Sequence, residues 1–156
     1  MLRLPDLARP ITLAALAVLA IVPRPAAAQV HEHPAGDPAT VGTVAFATSC
    51  APAVAEDFER SIAMLHSFWF DAADRSFKEI AAADPSCPMA RWGTAMTLMG
   101  NPMAPTMPPP ASMQAGLVAA EEAKRLAQAQ SHREQMYADA VVAFYSGADR
   151  DLASRM

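Results

Sequence analysis

The chain has 156 residues, 53% of them hydrophobic, and a formal net charge of −4. This mildly acidic balance argues against nucleic acid or an anionic lipid surface as partner, since both require clustered basic residues. The one long apolar run, at the N-terminus, is short for a membrane span, which needs about 20 residues, and no other stretch could cross.

That run opens the chain. Arg3 and Arg9 give a positive start, Ile11 to Val22 is an apolar core of signal length, and Ala26, Ala27 and Ala28 offer a small-residue cleavage site. Residues 1–28 are therefore expected to be a signal peptide, and the protein to be periplasmic or secreted. The alternative is an uncleaved anchor, which the length and flanks of the run disfavour. The mature chain from Gln29 would carry 9 basic and 15 acidic residues, a net charge of −6.

Residues 29–48 contain Pro, Gly and Thr that break every period, so an irregular arm is expected. Val41, Val44 and Phe46 can anchor its end in an extended conformation. The helical pattern begins at Ser49. Val54, Phe58, Ile62, Leu65 and Trp69 recur at one helix face, with Glu56, Asp57, Glu59 and Arg60 mostly between them. Pro52 suits the first turn, with Ser49 or Cys50 as cap. A second helix carries Ala73, Phe77, Ile80 and Ala81, is capped by Asp71, and stops at Asp84-Pro85, because a residue before proline avoids the helical region. A third starts near Pro88, carries Met89, Trp92, Met96 and Met99, and ends at Gly100.

Cys50 and Cys87 bracket the expected hairpin. In an antiparallel pair, the start of the first helix lies beside the end of the second, so a disulfide would staple it closed. The alternative is a reactive thiol pair or soft-metal site, for which no C-x-x-C spacing speaks.

Residues 101–111 hold five prolines and are expected to form an extended loop. Helix resumes at about Ser112, with Leu117, Ala120, Ala123, Lys124 and Ala127 on a weakly amphipathic, alanine-rich helix and Glu121 positioned to pair with Arg125. Ser131 to Glu134 forms a capping box for a last helix, which places Met136, Tyr137, Ala140, Val141, Phe144 and Tyr145 on one side and ends at Gly147.

The pattern Ser61, Ala73, Phe77 and Pro85, with Ala95 one period after Ser61, resembles the tetratricopeptide repeat, whose period is about 34 residues. The longer string V-A-F-A-T-S-C, L-H-S-F-W-F-D-A-A, A-A-A-D-P-S-C-P-M-A-R-W-G-T-A-M and G-N-P looks like the N-terminal part of secreted bacterial tetratricopeptide repeat proteins, over roughly residues 41–145. The resemblance implies an all-α architecture of antiparallel hairpins of solenoid type, and brings no defined activity with it. Solenoids need about three repeats. This chain offers one repeat, a partner helix and a further pair, with residues 148–156 reading as the start of something unfinished. A fragment of a longer protein, or self-association, is the expectation.

Several residues can carry function. His66 can be a recognition residue in the hairpin turn, or a packing histidine whose ring donates to a local carbonyl. Trp69 and Trp92 can line a groove, or be core. Met103 and Met107 in the proline-rich loop are adaptable contacts. An alternative donor set for copper is His31, His33, Met99, Met103 and Met107: a free terminus with a third-position imidazole suits Cu(II), and thioethers suit Cu(I). There is no phosphate-binding glycine loop, nucleophile elbow or H-E-x-x-H. The sequence thus points to a non-catalytic, cofactor-free scaffold that binds an unidentified protein or peptide, with metal handling as the alternative.

Overall fold

A computed structural model of the chain describes residues 41–104, 106–147 and 151. The expected signal peptide, His31, His33 and the C-terminal stretch from Ala148, apart from Asp151, lie outside the described residues. Within them the protein is all-α. A single 3-10 turn, Pro52–Val54, leads into α1 (Ala55–His66), followed by α2 (Phe70–Ala83), α3 (Pro88–Met99), α4 (Pro110–Ala127) and α5 (His132–Tyr145). There are no strands among the described residues.

The helices alternate in direction. A short turn folds α2 back on α1. The Cys50–Cys87 disulfide then joins the start of the first helix to the chain just after the second, with Cα atoms 4.6 Å apart. Thr97 near the end of α3 donates to Asp74 near the start of α2 at 3.3 Å, so these two are also antiparallel. At one end of α5, Glu134 bonds to Ser49, beside the disulfide; at the other, the Tyr145 hydroxyl donates to the Ala95 carbonyl at 2.6 Å. Thus α1, α3 and α5 run one way, and α2 and α4 the other. The most extensive contact is α3 against α4, and α1 and α5 both also touch α3.

The core follows the periodicity closely. Val54, Phe58, Ile62 and Leu65 are buried from the first helix region, and Ala73, Phe77, Ile80 and Ala81 from α2. Small residues set the close approaches. Ser61, fully buried, donates its hydroxyl to the Asp57 carbonyl at 2.7 Å and lies 2.7 Å from the Ser76 hydroxyl on α2. Gly93 faces the Phe77 ring so closely that a Cβ there would fall 2.4 Å from ring carbons. The buried face of α4 is Gly116, Ala120, Ala123 and Ala127, with no large side chain fully inside. Tight backbone approach, rather than bulk, seats that helix.

Several local expectations are corrected. Trp69 does not extend the α1 stripe, because α1 ends at His66 and Trp69 is the residue before α2. Asp71 makes no cap; it lies in the first turn of α2, where a negative charge still suits the helix dipole. Ser49 does not cap α1 either. Its N–H and hydroxyl both donate to Glu134 Oε1, at 2.8 and 3.1 Å. The acid that serves the start of α1 is remote in sequence: Asp84 Oδ2 accepts the Ala51 N–H at 2.7 Å, while Oδ1 accepts from the Ser86 N–H and hydroxyl. The proline-rich loop is shorter than expected, because Pro110 is itself the first residue of α4. Arg125 pairs with Glu122, not Glu121. On α5 the buried residues are Glu134, Ala138, Val141, Phe144 and Tyr145; Met136 and Ala140 face outward.

Two measurements check this account. Replacing both Cys50 and Cys87 by Ala should cost about 3–4 kcal/mol in urea unfolding, from the lost loop constraint. The Ser86 and Ala51 hydrogen bonds hold the Asp84 carboxyl below its ordinary pKa. Its contribution is therefore full above the unfolded value and lost as pH falls through the lowered folded value. The urea midpoint should drop on acidification below about pH 4, less so in Asp84→Asn.

Candidate functional site

The turn between α1 and α2 is where the chain does something unexpected. After His66 the helix closes with a left-handed cap: the Trp69 N–H donates to the Met64 carbonyl at 3.0 Å and the Phe68 N–H to Leu65 at 3.1 Å. This cap requires a positive φ at the residue between, a position glycine normally fills. Here it is Phe68, at φ 61°. A side chain in that conformation costs about 1–2 kcal/mol. The strain is not recovered by burial, since Phe68 is 55% exposed, its ring meeting Phe70 edge to face at 6.0 Å.

Phe68 stands at the rim of a pocket of about 170 Å³. Leu65 and His66 from the end of α1 and Phe70 from the start of α2 form one wall. Met96 and Met99 from α3, then Gly100 and Pro102, form the other. Gly100 has φ 74° and ψ −154°, a backbone conformation open essentially to glycine alone, and this turns the chain away at the pocket edge. Asn101 Oδ1 then accepts the Met103 N–H at 2.9 Å, fixing the first bend of the loop. The walls are mainly carbon and sulfur, with the His66 imidazole the one polar side chain among the lining residues.

The structure brings together two of the residues singled out from sequence, His66 and Met99, and adds Met96. It separates the others. Trp69 is half-buried beside the turn and packs on the core without lining the pocket. Trp92 is buried, its ring 5.5 Å from Tyr137 and 6.1 Å from Phe46, in an aromatic cluster elsewhere. Met103 is 81% exposed on the loop, and Met107 is half-buried there; neither lines this pocket. Phe68, Phe70 and Pro102 carry no mark as site residues in the sequence, and Gly100 is marked there only as the end of α3. A signal exists in L-H-S-F-W-F, where three aromatic residues are consecutive and a helical stripe uses one.

Other candidates are weaker. A groove of about 400 Å³ between α1 and α2 mixes charged Asp57, Arg60, Arg75 and Glu79 with about as many apolar residues. Its Arg60 is already paired with Glu56 and Asp57, both at 3.0 Å. Among the described residues, the acids, cysteines and histidines close enough to share an ion are Cys50, Asp84 and Cys87, within 4.8 Å. The disulfide takes both sulfurs, and Asp84 is committed to backbone and Ser86 donors. No helix of the described residues is long and apolar enough to cross a membrane. Compared with known proteins, the chain matches no family model, no curated protein and no solved structure.

If Phe68 is held out for contact rather than for stability, removing it should not harm the fold. Phe68→Gly should leave the unfolding free energy unchanged or raise it by up to about 1 kcal/mol, as relief of backbone strain outweighs the added freedom of the unfolded chain. A loss beyond that range would make Phe68 a packing residue.

Proposed function

We propose that the protein is a secreted or periplasmic scaffold of tetratricopeptide type, which docks a protein or peptide partner without catalysis or cofactor. The alternation of helix directions, the shared contacts of α1, α3 and α5, and the small residues Ser61, Ala73 and Ala95 at the helix crossings support the repeat architecture. A disulfide is at home in an exported protein. The observation that carries the docking reading is Phe68: a strained, solvent-facing aromatic beside an apolar pocket. Backbone strain and exposed aromatic surface both oppose the isolated fold, and a partner that covers the ring recovers the second. An apolar partner side chain seated against Met96 and Met99 would contribute roughly 1.5–3 kcal/mol. Methionine walls adapt their shape, which suits a segment recognised by its apolar character.

A photo-reactive phenylalanine analogue placed at Phe68 of the exported protein should form one dominant protein or peptide crosslink, which Met99→Asp abolishes. The same analogue at exposed Met136 should not form it. Equal labelling from both positions would remove this pocket from the binding surface.

One observation favours a second reading. His66, Met96 and Met99 line one pocket, and imidazole with thioethers is a donor set for Cu(I). On this second reading Met99 keeps its place, and His66 and Met96 stand beside it where Met103 and Met107 do not. Titration with Cu(I) against a chromophoric chelator should then show one tight site, lost in Met99→Leu and His66→Ala together. Retention of copper in that variant would send the metal to other donors.

A further inference from the structure

The arm that precedes the first helix is bound to the helices in the way a peptide ligand is bound. Residues 41–49 form neither helix nor strand. They lie on the side where α1, α3 and α5 come together. Phe46 meets one ring from each of those helices: Phe58 at 5.7 Å, Trp92 at 6.1 Å and Tyr137 at 5.6 Å. The Arg133 guanidinium caps its ring from 5.5 Å.

The polar contacts follow the same logic. The Phe46 N–H donates to Glu59 Oε1 at 3.0 Å. The Ala47 carbonyl accepts from Arg133 Nη2. The Ser49 N–H donates to Glu134 Oε1 at 2.8 Å. In each case a backbone group of the arm meets a charged side chain of the helices. Such bonds would serve any extended segment, and the aromatic anchor supplies the selectivity. Upstream of Phe46 the fit loosens. A cavity of about 270 Å³ lies between residues Val41 to Val44 and the Glu56, Glu59 and Arg60 side of α1. Downstream, Cys50 is fixed by its disulfide, so the arm can leave without releasing the start of the helical part.

We propose that the face shared by α1, α3 and α5 is a second binding groove, for an extended peptide with an aromatic anchor, and that residues 44–49 are its resident occupant. The groove is distinct from the pocket at Phe68. Tethered at Cys50, the arm competes at an effective concentration on the order of millimolar, so a free segment of the same chemistry is excluded until the arm is weakened.

The probe is a synthetic peptide with the sequence of residues 43–49, Thr-Val-Ala-Phe-Ala-Thr-Ser, added to the oxidised full chain. Phe46→Ala, with helical content unchanged, should bind it at least about tenfold more tightly than the native chain, and Arg133→Ala in that background should weaken the gain. A folded Phe46→Ala variant that takes up no peptide, or native and variant chains that bind equally, would overturn the proposal. Hydrogen exchange on the native chain gives an answer that needs no variant. The amides of Phe46 and Ser49 should exchange by local opening, about tenfold or more faster than the central amides of α3. Equal rates would make the arm an integral part of the core and overturn the groove.

Discussion

The fold depends on one junction. At Cys50–Cys87 three pieces of chain converge: the end of the arm, the start of α1 and the link from α2 into α3. The disulfide fixes their distance and Asp84 fixes their polar groups, with one carboxylate oxygen on Ala51 and the other on Ser86. Glu134 extends the same knot to α5 through Ser49. A covalent bond between apolar helices sets position only within the freedom of its own torsions. The two buried carboxylates narrow that freedom by accepting from donors on Ala51, Ser86 and Ser49, and a buried acceptor left unmatched costs about 1–3 kcal/mol.

From this knot the helices diverge, and the far end of the structure is correspondingly unlike the near end. Near the disulfide, polar groups are matched and the arm is held. At the opposite end of α1 and α3 lie the Phe68 turn, Gly100 and the start of the proline-rich loop, with two unusual backbone conformations within one small pocket. Order at one end lets the other carry strain. The two binding surfaces inferred for the protein divide along this line: one already filled by the chain's own Phe46, one open.

What could be read from the sequence was whatever repeats with a helix. The stripes Val54 to Leu65 and Ala73 to Ala81 were legible because each residue's burial depends on its own helix. The hairpin's disulfide was legible because two cysteines bracketed it. The Ser131 half of the capping box was legible for the same local reason, its hydroxyl accepting the Glu134 N–H at 3.4 Å, whereas the Glu134 carboxylate turns to Ser49 and the Ser131 hydroxyl and does not reach back to the Ser131 N–H. Features set by distant partners were not. Nothing near Asp84 says that it serves Ala51, 33 residues away, and nothing near Ser49 points to Glu134, 85 residues away. Trp69 fitted the α1 period but fell beyond a cap placed by backbone geometry. Phe68 was missed because propensity assigns that cap to glycine, and a residue that breaks the rule is invisible to a method built on it.

The disulfide also permits an order in time. Both cysteines lie ahead of α3, α4 and α5 in the chain. Closing the bridge requires only that α1 and α2 have paired, with α3, α4 and α5 not yet docked. The first hairpin then becomes a covalently closed template onto which α3 docks, and α4, with its alanine face and little bulk of its own, has a finished surface to settle on. Where the bridge closes first, every later docking step starts from a hairpin that thermal fluctuation cannot reopen.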